Sequence, residues 1–172
     1  MKELDTLKCT QFYKLIDYFY PEVSANTGNL GKKGITPSIK SLINPVSVAN
    51  WFCGDGGKAD FTKNEGKGIT FHCQAFSKEE QEILCEALKE NLGLQAEVKL
   101  DNSSQNQWRI DLEGSSYDTF IERVGPYIHQ SFKHKLPSPR KNTTFGYLTQ
   151  ELFDKYVGSK AEEPSLIENY RD

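Results

Sequence analysis

The residues best suited to chemistry lie in the stretch INPVSVANWFCGDGGK, positions 43–58, where an apolar helical run stops on Gly54-Asp55-Gly56-Gly57. A helix C-terminus is the negative end of the macrodipole, so a carboxylate there is at the unfavourable end. Glycine is an ordinary stop signal, but an aspartate just before it is not. A bound cation would offset the cost, and the competing reading of Asp55 is a turn residue in a common Asp-Gly pair. A second group of side chains alternates along predicted strands: Thr70, His72 and Gln74, then Lys99, Gln107 and Arg109. These hydrogen-bonding types suit base edges in a major groove. They also suit an ordinary solvated face of an antiparallel sheet.

The elements that must position these groups are legible from pattern. Residues 8–20 place Phe12, Leu15, Ile16 and Phe19 at helical spacing, ended by Pro21. A Gly/Asn/Ser-rich loop carrying Lys32-Lys33 follows, and SIKSLIN reads as a short helix. Asn44 caps the helix that leads to Asp55, with Pro45 at its first position. Two strands flank a turn at residues 64–68, and the second alternates Ile69, Phe71, Cys73 and Ala75 against Thr70, His72 and Gln74. SKEEQEILCEALKENLG is a helix with a Ser77/Glu80 capping box and a Gly93 stop. QAEVKLD and QWRIDLEG are strands joined by a turn, with Arg109 and Asp111 on one side and Trp108, Ile110 and Leu112 on the other. Ser115 or Ser116 caps YDTFIERVG, PYIHQSFKHKL closes with a basic cluster, and GYLTQELFDKYVG is one more amphipathic helix.

From Asn44 to Leu136 the order is helix, strand, strand, helix, strand, strand, helix. That order predicts an α+β fold, αββαββα, with a four-stranded antiparallel sheet and helices on one face. The predicted organisation is an N-terminal helix and basic loop arm over 1–43, a core over 44–136 and a tail with one helix over 137–172.

The 172 residues, 37% hydrophobic and 12% aromatic, suffice for one globular domain with a core. No apolar run is long enough to span a membrane, and no secretory signal is evident. Cys9, Cys53, Cys73 and Cys85 lack metal-finger spacing and read as free thiols of an intracellular, reducing compartment. The net charge of −3 argues mildly against a nucleic-acid partner. Five glutamates, however, fall in the one helix after Ser77, while residues 1–43 hold six Lys/Arg against four Asp/Glu.

The segment Val48-Ala49-Asn50-Trp51-Phe52-Cys53-Gly54-Asp55-Gly56 in this element order resembles the motif of the LAGLIDADG homing endonucleases, with Asp55 at the second acidic position. Three further stretches support the resemblance: TPSIKSLINP upstream, FHCQAFSKEEQEIL after the motif, and GSSYDTFIERVGPYIHQSFKHKL at the close. It covers roughly residues 10–136, and the region around the second repeat of two-repeat members is the part it is most similar to. The resemblance implies an intron-encoded, Mg²⁺-dependent endonuclease acting on double-stranded DNA, encoded in an organelle, a bacterium or a phage. Two motif helices would pack together, and each would deliver one carboxylate to a shared site.

By the same resemblance, Asp55 is a catalytic metal ligand beside Gly54, and Gln74, Lys133 and Lys135 fall where the family carries polar and basic active-site residues. Val48, Ala49, Phe52 and Cys53 would form the helix–helix interface; Cys53 replaces the first acid of many members, and Asn50 replaces a small or aromatic residue. Lys32, Lys33, Thr70, His72, Gln74, Lys99, Gln107 and Arg109 would face DNA. His72, His129 and His134 form no metal-ligand set and read as surface or DNA-facing residues.

Only one motif is present, so a second half is required. A homodimer with a nearly palindromic target is expected, since the chain starts at its own Met1 and holds a complete core. The alternative is a partner chain carrying the other half. A different functional class is a non-cleaving maturase or structural protein that binds RNA with the same sheet.

Overall fold

Helix α1, Pro45–Asp55, starts as its sequence dictates. The Asn44 side chain accepts from the Val46 and Ser47 amides at 3.0 Å, and the Ser47 hydroxyl accepts from the Asn44 amide at 2.9 Å. Pro45 at the first position lacks only an N–H that would have been unsatisfied. The computed structural model describes residues 18–20, 33–60, 67–139 and 148–161. Residues 64–66 of the expected turn and most of the helix expected at 8–20 lie outside these residues, whereas Lys67 and Gly68, also expected in that turn, pair with Asp60 and Ala59 as strand.

The helix leads into the sheet without a loop. Strand β1, Gly56–Asp60, pairs antiparallel with β2, Lys67–Phe71; β3, Ala96–Asn102, pairs with β4, Gln107–Leu112; and β2 meets β4. The strand order is β1-β2-β4-β3, so β2 and β4 are central. Helix α2, Lys78–Leu92, joins the two hairpins. It carries the expected Ser77/Glu80 box and ends at Gly93 with φ 68°, the left-handed stop that glycine adopts at little steric cost. Helix α3, Tyr117–Arg123, follows β4. Its expected cap is otherwise engaged: Ser116 is buried and its hydroxyl accepts from the Gln95 amide at 2.7 Å.

The apolar face of the sheet supplies Ile69, Phe71, Ile110 and Leu112 to a core shared with α1, α2 and α3. Phe52 of α1 meets Phe71 and Phe120 edge-on at centroid distances of 6.0 and 5.5 Å, and Trp51 lies 4.2 Å from Phe71. Such aromatic pairs add about 0.5–1.5 kcal/mol each beyond the burial of their area. Gln81 is fully buried, and its amide nitrogen reaches the carbonyls of Cys73, Phe76 and Trp108 at 2.9–3.2 Å, tying the end of the first hairpin to β4.

Packing does not break at residues 43 or 136. The 3₁₀ turn Pro37–Leu42 lies against α2, with Ile39 and Ile43 buried. Lys40 bridges Glu86 and Glu90 at 3.1 and 3.0 Å, and Asn91 donates to the Lys40 and Ile43 carbonyls. Beyond the core, α4, Gln150–Tyr156, buries Phe153, and the Gly158 and Lys160 amides donate to the Gly125 and Pro126 carbonyls at 2.9 Å. The described parts of the expected arm and tail therefore belong to the core's packing.

Two glycines flank Asp55 for different reasons. A Cβ at Gly56 would stand 2.1 Å from the Phe52 ring and 2.5 Å from the Phe52 carbonyl oxygen, whereas one at Gly54 would meet nothing within 4 Å. Gly56→Ala is expected to cost roughly 2–3 kcal/mol through overpacking against atoms that cannot move aside. Gly54→Ala should leave the stability of a single chain unchanged or raise it by about 0.5–1 kcal/mol. Urea denaturation of the two variants measures this contrast, and equal effects would contradict it.

Candidate active site

Asp55 is the last residue of α1 and is exposed, as is Gly54. Its backbone is pinned, because the His72 amide donates to the Asp55 carbonyl at 2.9 Å and ties the helix end to the residue after β2. Among the described residues no ion pair reaches the Asp55 carboxylate.

The cation that the helix end calls for comes in part from the chain itself. Lys135 Nζ donates to the Cys53 carbonyl at 2.8 Å and to the Gly54 carbonyl at 3.2 Å, two groups that the end of a helix leaves without intrahelical partners. The ammonium thus sits at the negative end of the dipole, a placement that contributes about 0.3–1 kcal/mol on an exposed surface. Lys133, two residues away, turns elsewhere: it pairs with Asp154 at 2.5 Å and lies over the Phe153 ring. Of the two lysines expected near the site, Lys135 is the one held at the motif helix.

The residues expected at a helix–helix interface divide. Val48, Ala49 and Phe52 are fully buried in the chain's own core, so they have no surface to offer a second chain. Cys53 is partly exposed, and burial raises its thiol pKa above the ordinary value. The open face of α1 carries Val46, 48% exposed, with Asn50 and Gly54 at successive i+4 positions. Sequence reasoning placed Asn50 at the interface but missed Val46, because apolar residues occur on both sides of the helix. Cys73 and Cys85 are free thiols pushed up to about 12 by burial, which makes them inert.

The polar sheet face also differs from expectation in places. Strand β2 ends at Phe71, so Gln74 and Ala75 lie in the following turn, and Ala75 is exposed rather than inward. Thr70 is only 2% exposed, and its hydroxyl donates to the Ile110 carbonyl at 3.2 Å, which removes it as a surface contact. Gln74 donates to Asp101 at 3.0 Å and lies 3.3 Å from His72 Nδ1. Hydrogen bonds from Gln74 and Arg109 hold the Asp101 carboxyl below its ordinary value. Lys99 pairs with Glu97 at 2.7 Å and Asp111 at 3.6 Å, and Arg109 pairs with Asp101 and Asp111. Gln107 opens β4 opposite Asn102, at the far end of the same face. His129 and His134 are exposed and bond locally to Ser131. Lys33 is exposed with its ammonium over the Phe19 ring, and Lys32 lies outside the described residues.

Asp55 is the motif residue whose chemistry suits a cation. Asp55 offers a hard oxygen donor of the kind Mg²⁺ prefers, but no group of three or more His, Cys, Asp or Glu converges among the described residues. No helix among the described residues is long and apolar enough to cross a membrane.

Residues 2–120 match the model of the LAGLIDADG DNA endonuclease family. A probable intron-encoded endonuclease 1 of Wickerhamomyces canadensis is 36% identical over 107 residues, 61% of this chain and 45% of that protein. A probable intron-encoded DNA endonuclease 3 of Mycosarcoma maydis is 28% identical over 134 residues, 77% of this chain and 90% of that protein. The cytochrome b mRNA maturase bI2 of Saccharomyces cerevisiae is 25% identical over 78% of this chain and 30% of its own length. Among solved structures, the homing endonuclease I-WcaI bound to its DNA recognition sequence matches with a TM-score of 0.55 and 37% identity, over 62% of this chain and 46% of that one. The chain thus spans about half the length of the Wickerhamomyces relative and of the solved endonuclease. It belongs to the LAGLIDADG DNA endonuclease family.

Proposed function

We propose that the chain is one half of a site-specific, divalent-metal-dependent endonuclease that hydrolyses double-stranded DNA as a homodimer, with Asp55 of each chain in the shared site. The observation that carries this reading is the placement of Asp55. It is an exposed carboxylate on the last residue of a helix that leaves one face, Val46-Asn50-Gly54, exposed. Open space beside Gly54 allows another backbone to come close. The strand leaves directly at Gly56, so a nucleic acid lying on the sheet's polar face passes the helix end.

The work of this chain's residues follows from that geometry. Asp55 would hold Mg²⁺, which when bound polarises a phosphate oxygen and makes water a better nucleophile; the Gly54 carbonyl beside it is already taken by the Lys135 ammonium. Lys135 keeps a positive charge at the helix end, where it offsets both the dipole and the negative charge that develops on the phosphate. Gln74 is fixed by Asp101 in the turn after β2 and presents its remaining amide hydrogen-bonding capacity on the polar side of the sheet.

A second reading, a maturase that binds RNA without cutting, is favoured by the likeness to the Saccharomyces maturase. Retention of an exposed Asp55 beside the open face favours the nuclease, because a carboxylate near phosphate only weakens a pure binder.

Asp55→Asn is expected to abolish cleavage, in Mg²⁺, of duplex DNA spanning the gene's insertion site while leaving binding within a few-fold. Undiminished cleavage by the variant would sink the catalytic assignment, and an uncut duplex with the unaltered protein would favour the maturase. For assembly, Val46→Glu places a charge on the open face at a position 48% exposed, so single-chain stability should change by no more than about 0.5 kcal/mol. Sedimentation with duplex DNA should then show a dimer for the unaltered chain and a monomer for the variant. A monomer in both cases would refute the homodimer.

A further inference from the structure

Arg109 lies on β4, a central strand, and points to the polar side of the sheet together with Asp111. Asp111 is 1% exposed and takes the guanidinium side-on: Arg109 Nε donates to one oxygen at 3.0 Å and Nη2 to the other at 3.3 Å. From β3, Asp101 accepts from Nη1 at 2.8 Å. A guanidinium carries five N–H groups. These contacts use three of them and leave one on each terminal nitrogen, on a side chain that keeps 28% exposure. A free N–H on each terminal nitrogen of one rigid plane supplies the two donors that the O6 and N7 acceptors of guanine take.

Charge separates a base contact from a phosphate contact. Around this point two cations, Lys99 and Arg109, stand among three carboxylates, Glu97, Asp101 and Asp111. A phosphate would meet a locally negative patch, whereas a guanine edge is a neutral acceptor with no such penalty. The clamp also fixes the orientation of the fork before binding, so little side-chain freedom remains to be lost.

We propose that Arg109 is a specificity-determining residue that reads one guanine per half-site in the major groove, with Asp111 as its positioning residue. The proposal rests on the reading of the sheet as the nucleic-acid face. If Arg109 served only to neutralise a buried carboxylate, its replacement would change stability and not sequence preference.

Selection from a pool of randomised DNA duplexes tests this with the unaltered protein, Arg109→Lys and Asp111→Asn. Arg109→Lys keeps the charge beside Asp111 but loses the fork, and Asp111→Asn keeps the shape of the clamp. The unaltered protein should enrich a sequence with a fixed G·C pair in each half-site. Arg109→Lys should lose discrimination at that pair by about five- to a hundredfold and leave other positions unchanged. Asp111→Asn should relax the same pair. Because lysine keeps the charge, a mere phosphate contact would survive in Arg109→Lys and leave discrimination at every position unchanged. Uniform weakening at every position, or an unchanged preference in both variants, overturns the proposal. An unaltered protein that enriches no duplex overturns it together with the nuclease reading beneath it.

Discussion

The rest of the structure depends on Phe52. Its ring is fully buried and meets Phe71 of β2 and Phe120 of α3, so it fixes the rotation of α1 about its own axis. Successive helical residues are about 100° apart, so burying Phe52 also turns Val48 and Ala49 inward and sends Val46, Asn50 and Gly54 outward. The same ring explains the glycine after Asp55. The chain turns from helix to strand against the face of Phe52, and no side chain fits at Gly56. The position of the carboxylate is therefore a consequence of core packing, three residues removed from any chemistry.

Electrostatics then decides what the positioned groups can do. The end of α1 gathers two carbonyls and a carboxylate, and Lys135 brings an ammonium back to it across 82 residues of sequence. On the sheet, Lys99 and Arg109 are engaged by acidic neighbours instead of standing as bare cations. A face built this way gains little from non-specific phosphate attraction, which is the term that dominates sequence-independent binding. It suits recognition through oriented hydrogen bonds, and it is compatible with a chain whose net charge is −3.

What was legible in the sequence is what local rules govern. The Asn44-Pro45 start, the Ser77/Glu80 box, the Gly93 stop and the two hairpins all follow from contacts within a few residues. Asp55 was legible as an anomaly for the same reason. The inward face of α1 was not, because an eleven-residue helix apolar on both sides has no stripe to read. Nor was the loss of Thr70, whose hydroxyl is taken by a carbonyl 40 residues away. Gln74 was assigned to a strand because alternation runs on past Phe71, although pairing stops there. The difference between Lys133 and Lys135 lies entirely in distant partners, Asp154 for one and the α1 carbonyls for the other. Spacing cannot carry that information.

A single carboxylate at a helix end has a consequence for assembly. In the proposed two-fold arrangement two Asp55 side chains approach one another at the ends of two parallel dipoles, which alone would oppose association. Each chain also brings its own Lys135 to that junction, so two ammonium groups meet two carboxylates before any metal or DNA is bound. In that arrangement the lysine would lower the electrostatic cost of bringing the halves together, and its bonds to the Cys53 and Gly54 carbonyls leave the Asp55 oxygens unoccupied. The carboxylates stay available for a cation that arrives with the substrate. On this reading Lys135 would act in assembly as well as in charge stabilisation, whereas Lys133 is turned toward α4, where it pairs with Asp154.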